Sequence, residues 1–312
     1  MSNKAFAKKD KSIAKMMTKN GFQKYVFLIS LLIIPIINWV LFWFTVNIQS
    51  IFLAFQDSRT GAFTWWNFEY FWQQLTTSGG EIALAIENTL KYFSSNLFVV
   101  IPLSMIIAFF LYKKIWGHKA FTVIFYLPAI ISSVAMVQVY MQFLSSNGPV
   151  AQLFGDIVKI PPEGLFARPE TATSMIVLYT IWTGFSANIL LFIGAMTRIP
   201  IEVFEAAKLE GCKPGREFIS IVFPLIWPTF STMLILSFTG LFSSSGPILL
   251  FGADSASYKT TTISYWIFKE VYEGGLGGIN AVSATGLCFT VVAVPLILFV
   301  RWVAEKVPEV EY

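Results

Sequence analysis

The sequence predicts an all-α, polytopic membrane protein with six transmembrane helices and a polar cytoplasmic loop between the fourth and fifth. Three observations predict it. Of the 312 residues, 55% are hydrophobic and 13% are charged, whereas a soluble domain carries about 25% charged residues. Six segments reach the length of about 20 mostly apolar residues that a hydrocarbon core requires. Lys and Arg also fall unevenly around those segments, as a fixed orientation demands.

Residues 1–24 form a basic tail with seven lysines, expected to rest on anionic lipid headgroups. No short apolar stretch with a small-residue cleavage site follows it. The first span, 25–46, is too long for a cleaved signal and should be retained. Residues 25–312 then read as one six-span domain, with further spans at about 92–112, 120–144, 173–196, 221–245 and 281–303. Helices suit these runs because each satisfies its own backbone hydrogen bonds in lipid. A β-barrel would show alternating segments of about 10 residues, and the sequence has none. With the N-terminus inside, 16 of the 22 Lys and Arg lie in cytoplasmic segments, including Lys113, Lys114, Lys119, Arg198, Lys208, Lys213, Arg216, Arg301 and Lys306. The outer segments hold Arg59, Lys91, Lys159, Arg168, Lys259 and Lys269. Both termini are therefore expected in the cytoplasm. The first outer segment carries "FTWWNFEYFW" at 63–72, a composition for interfacial anchoring, with an external partner as the alternative.

The polar loop reads "FEAAKLEGCKPGREFISIVFPL" at 204–225. Pro200 suits the first turn of a helix. Glu202 and Glu205 lie near the positive end of its dipole. Gly211 ends the run as a C-terminal glycine does, and Pro214 opens a second helix leading into the fifth span. Ala206 and Ala207 are small enough for a partner's backbone to come close. An ordinary helical hairpin loop is the other reading of these residues.

Other chemistries find little support. The charge of +4 is modest and unevenly spread, so nucleic acid is not implied. Cys212 and Cys288 fit no metal or redox spacing. His118 is the only histidine and sits in a basic loop; no metal site is expected. There is no GxxxxGK[ST] phosphate loop, and the chain is expected not to be an enzyme. Carboxylates inside the spans would suggest a proton relay. Their cores are free of charge, which argues against an ion-coupled secondary transporter; a passive channel or membrane scaffold is the third class. Uncharged polar residues do occur in the third, fourth and fifth spans, where helix packing also favours them.

The loop resembles the signature of permease subunits of binding-protein-dependent ABC importers. Glu205, Ala206, Ala207, Gly211, Ile221 and Pro224 stand at the signature spacing, with Phe223 where the family usually has Leu. "NIQSIFLAFQD", "NTLKYF", "FYLPAIISS" and "IWTGFSANILLFIGAM" resemble the carbohydrate branch, in particular the maltose-type permease. The resemblance implies a second permease subunit, making a heterodimer, and two ATPase subunits that hold ATP and Mg. It implies no cofactor on this chain itself. Each ATPase accepts one such loop as a coupling helix. An extracellular solute-binding protein delivers the sugar, and the assembly sits in a bacterial cell membrane. Matched to the maltose-type motifs, "LPAIISS" places Ala129 and Ser133 on the substrate path, "WTGFSA" adds Thr183, Gly184 and Ala187, and "SFTGLFSS" adds Ser237, Leu241 and Ser244. Ala187 and Leu241 replace aromatic and polar residues of the maltose protein, which argues against maltose itself and is compatible with a wider or different saccharide site. The expected cargo is an oligosaccharide, with a polyol phosphate or acidic glycan as the alternative.

Overall fold

The computed structural model describes residues 23–77, 79–155, 160–161, 164–166, 168–243, 247–251 and 260–308. The tail to residue 22, Lys159, Ser244 and Lys259 lie outside them. Among the described residues the protein is helical, apart from one isolated bridge between Gln56 and Phe63.

Helix α1 (Gln23–Ala54) has 32 residues, about 48 Å at 1.5 Å per residue. Helix α2 (Trp66–Thr76) follows, then α3 (Glu81–Tyr112), also 32 residues long. Helices α4 (His118–Ile130) and α5 (Ser133–Phe143) form a pair bent by 111°. The short α6 (Pro149–Phe154) precedes the long α7 (Pro169–Met196). Next come α8 (Ile201–Leu209) and a second bent pair, α9 (Pro214–Leu225) and α10 (Trp227–Thr239), with an angle of 72°. A single turn, α11 (Ile248–Phe251), then α12 (Ile263–Glu273) and α13 (Gly275–Glu305) complete the chain. Among the described residues α1, α3, α7 and α13 are long and apolar enough to cross a membrane alone, and the number reaches six if each bent pair is one span.

The bends have local causes. Pro128 lies inside α4, and Ile131 and Ser132 after it are extended, with ψ of 144° and 131°. Proline removes a backbone donor and crowds the preceding turn, so the third span is a broken rod. Pro224 and Pro228 bracket the second bend at Ile226 (φ −94°, ψ 5°). The apolar run expected to cross as one fifth span is therefore split, and its first part stays with the polar loop.

Three buried clusters hold the bundle. The first joins Ile101, Met105 and Phe109 of α3 to Ile189, Phe192 and Met196 of α7, Phe204 of α8 and Val222 of α9. Helices α3 and α7 thus run parallel and end together beside α8. The second cluster, at the opposite end, joins Met136 and Val137 of α5 to Ile176, Tyr179, Ile248, Phe251 and Tyr265. The third, at that same end, packs Ile82 and Ala85 of α3 against Ile263, Trp266 and Phe289. In α1 nothing of the apolar span is buried within the chain; its Thr45–Ala54 portion meets α13. Apolar surface facing lipid costs nothing, so packing and polar clamps hold such helices together. The clamps are explicit here. Asn88 Nδ2 donates to the Thr261 carbonyl at 3.1 Å, Trp227 Nε1 to Ala304 O at 3.2 Å, and Asn67 Nδ2 to the carbonyls of Ala54 and Gln56, each at 3.0 Å.

The end opposite α8 also gathers carboxylates. Trp266 Nε1 donates to Glu81 Oε2 at 3.2 Å. Burial first, then the neighbouring Glu81 and Glu273 against a partial offset from Lys269, pushes the Glu270 carboxyl above the ordinary carboxylate value. The folded state therefore holds this proton more tightly than the unfolded chain. Stability falls as pH rises from the ordinary value through the raised one, and stays lower above it. Glu270→Gln should raise the apparent melting temperature of the purified protein slightly at neutral pH and leave it unchanged at pH 3. An equal rise at both pH values would show that charge is not the cause.

Candidate functional site: the α8 turn and the cavities along α3

Helix α8 is built by local rules. Pro200 is its N-cap, one residue earlier than the first helical position expected, with extended backbone (φ −57°, ψ 139°). Glu202 lies in the first turn and Lys208 in the last, each the favourable sign for its end of the dipole. At the C-terminus Gly211 has φ +72°. Its N–H donates to Lys208 O at 3.1 Å, and that of Cys212 donates to Ala207 O at 2.9 Å. This is a Schellman motif, which satisfies otherwise orphaned carbonyls and needs a left-handed residue at its turn. Pro214 then begins α9.

One face of α8 is inside and the other out. Phe204 and Ala207 are buried, whereas Glu202, Glu205, Ala206 and Glu210 are exposed. Leu209 is 89% exposed at the tip. The Phe204 ring lies 5.5 Å from that of Tyr112. Lys113 Nζ stands 4.9 Å from the centre of the Phe204 ring and pairs with the buried carboxylate of Glu217. Ile221 falls in a π-helical turn, Phe218–Val222, just before Pro224. Without an N–H, Pro224 leaves the Ser220 carbonyl without its α-helical donor. The expected signature residues thus gather around one turn: Glu205 and Ala206 facing out, Ala207 facing in, Gly211 at the bend, Ile221 and Pro224 in the helix that carries it.

Two concavities follow α3 away from this turn. A cavity of about 220 Å³ lies between α3, α7 and α10, lined by Thr89, Tyr92, Asn96, Thr180, Ser237 and Leu241. Asn96 Nδ2 donates to Ser237 Oγ at 2.9 Å. The Tyr92 hydroxyl is buried and has no hydrogen-bond partner. Farther along, a groove of about 980 Å³ runs between α3 and the start of α7. Its polar lining is Glu87, Asn88, Lys91, Ser94, Ser95, Thr173 and Ser174. Glu87 and Lys91 pair across one turn at 2.7 Å, an exposed i,i+4 contact contributing about 0.3–0.5 kcal/mol.

The expected path residues divide. Ser237 and Leu241 line the cavity. Thr183 turns its hydroxyl to Tyr179 O of its own helix at 3.0 Å. Gly184 serves the crossing of α3 and α7, where a Cβ would come within 3.0 Å of Val100 Cγ1. Ala129, Ser133 and Ala187 are exposed on the outside of the chain. Ser244 lies outside the described residues. Sequence reading missed the groove on α3, because Glu87 and Lys91 look like loop charges ahead of an apolar run. It also missed Lys113 and Glu217, which are distant in sequence and carry no local signal. Leu209 did have one: a large apolar residue within a polar turn. Among the described residues no three His, Cys, Asp or Glu side chains group as metal ligands would.

Residues 100–308 match the family model described as binding-protein-dependent transport system inner membrane component. The multiple sugar-binding transport system permease protein MsmF of Streptococcus mutans is 23% identical over 275 residues, 86% of this chain and 92% of that protein. The maltose/maltodextrin transport system permease protein MalF of Escherichia coli K12 is 24% identical over 216 residues, 65% of this chain but 42% of its own length. Among solved structures, a bacterial ABC transporter involved in the import of the acidic polysaccharide alginate superposes with a TM-score of 0.78 at 23% identity, covering 93% of this chain and 99% of the other. The same fold recurs, with a TM-score of 0.78 and 22% identity, in a bacterial alginate ABC transporter in complex with an alginate pentasaccharide-bound periplasmic protein.

Proposed function

The chain belongs to the family of binding-protein-dependent transport system inner membrane components, and from that premise we propose that it is the permease subunit through which a bacterial ATP-driven importer moves an oligosaccharide. The observation that carries the reading is α8: a polar, nine-residue helix with one face packed on the bundle and the other in solvent, closed by a Schellman turn at Gly211. Such an element suits a cleft on an ATPase subunit. Glu205, Ala206 and Leu209 meet that subunit, Ala207 seats the helix on the bundle, and Gly211, Ile221 and Pro224 set the angle of the turn. Two ATPase subunits, holding ATP and Mg, and a second permease complete the assembly. In it the termini and α8 lie in the cytoplasm.

The solute path then runs from the outer groove past Tyr92, Asn96 and Ser237. Ala129, Ser133, Thr183 and Ala187 face the second permease across it. Uncharged polar groups and an unpartnered tyrosine hydroxyl suit a ligand rich in hydroxyls. The sugar-binding and maltodextrin systems of the relatives support a carbohydrate. A neutral glycan is favoured over an acidic one because the lysine lining the groove, Lys91, is balanced by Glu87, so the lining carries no net charge. The test is calorimetric titration of the co-operating solute-binding protein against neutral glycans, acidic glycans, a polyol phosphate and peptides, followed by uptake in cells. A neutral oligosaccharide should bind and be imported in a manner dependent on this chain. Binding of an acidic glycan or polyol phosphate alone would replace the neutral cargo, and binding of peptides alone would refute a carbohydrate importer.

A further inference from the structure

We infer that Lys113 and Glu217 are a pair of positioning residues that make α3 the carrier of any movement imposed on α8. The inference rests on the reading of α8 as the ATPase-docking helix. A nine-residue helix is too short to hold its place by itself, so its position is set by what grips it. Lys113 is the C-cap of α3, where the helix dipole favours a cation. Its ammonium lies 4.9 Å from the Phe204 ring of α8 and 5.9 Å from the Phe109 ring of α3, and it pairs with Glu217 in the first turn of α9. One cation therefore gathers three elements: the end of α3, the inner face of α8 and the helix just past the Gly211 turn.

The energetics make this grip hard to release. The Glu217 side chain is 8% exposed and that of Lys113 is 32% exposed. Pulling the α8–α9 turn away from α3 would leave a buried carboxylate without its counter-charge, which is far more costly than separating a solvated pair. The turn and the end of α3 should accordingly move as one body. Helix α3 is continuous from Glu81 to Tyr112. It carries Asn96, which holds Ser237, and the Glu87 and Lys91 wall of the groove. The same helix that is clamped to α8 at one end thus lines both concavities along its length.

The experiment uses the full complex. On a background with Cys212→Ser and Cys288→Ser, spin labels at Ile115 and Lys208 report the distance between the end of α3 and α8. A single distance, unchanged between the nucleotide-free and ATP-trapped complex, is expected, with a broadened or divided distribution in Glu217→Gln. A distance that shifts between the two states in the unmodified pair would overturn the inference. In parallel, Glu217→Gln and Lys113→Gln should each lower sugar imported per ATP hydrolysed by about tenfold. Lys113→Arg, which keeps a cation beside Phe204 and Glu217, should retain most of it. Unchanged Gln variants, or a Lys113→Arg variant as defective as Lys113→Gln, would also overturn the pair. Uptake by the unmodified complex checks the importer reading separately: its absence sinks that reading, whereas equal uptake with and without Glu217 sinks only the pair.

Discussion

Leu209→Gln should leave the permease folded in the membrane and strip it of its ATPase. Leu209 is 89% exposed, and an exposed helix position accepts glutamine with a change in stability of about 0.5 kcal/mol or less. Yet it is the large apolar side chain at the tip of α8. A buried apolar anchor at the centre of an interface typically contributes about 2–4 kcal/mol. Its loss should reduce ATPase retention on the purified complex by roughly thirtyfold or more, and sugar uptake should fall with it. Membrane levels and the melting temperature of the permease should not move. Full ATPase retention in Leu209→Gln would mean that α8 does not dock through its tip.

Gly211→Asp is expected to act at the same junction by another route. The backbone there has φ +72°, and an added Cβ meets nothing within 4 Å in this chain. The fold therefore bears only the left-handed strain, about 1–2 kcal/mol for a residue with a Cβ. Aspartate is among the side chains that tolerate this conformation best, so the protein should still insert. The rest of the effect falls on whatever packs over the bend, which must now accommodate a side chain and a charge. ATPase retention should drop about tenfold or more, by the cost of a buried unpaired charge. Gly211→Asn, which keeps the size and removes the charge, should be milder. Normal retention and uptake in both variants would reduce the segment to a hairpin loop.

The turn was legible in the sequence because every signal for it is local. Proline, glycine and charge within a dozen residues fix the start, the end and the polarity of α8. The long helices were legible as well, since hydropathy over about 20 residues needs no tertiary knowledge. Bends were not. Pro128, Pro224 and Pro228 stood in plain view, but a hydropathy window sums composition and ignores direction, so two angled pairs read as straight spans. The groove on α3 escaped for a related reason. The helix starts at Glu81, and its charged first turns fall outside any apolar window. The meeting of Lys113 with Glu217 depends on how α3 packs against α9, which no short-range pattern encodes. Ser237 and Leu241 line a cavity, whereas Gly184 fills a helix crossing. A small residue in an apolar helix serves either purpose, and only the neighbouring Val100 decides.

The π turns at Asn96–Val100 and Phe218–Val222 carry a consequence for how the bundle changes shape. Each holds one residue more than an α turn, and so sets back the angular phase of all that follows by about 100°. Helix α3 is in effect two rods in series. The first aims Glu87, Lys91 and Ser94 at the groove, and the second aims Ile101, Met105 and Phe109 at the first cluster. A phase slip of this kind can migrate along a helix one residue at a time, each carbonyl exchanging one donor for the next. The two rods can then rotate against each other without unwinding. Asn88 anchors the first to Thr261, and Lys113 anchors the second to Glu217. A twist applied at one anchor reaches the other changed in angle, with Asn96 and its bond to Ser237 at the joint.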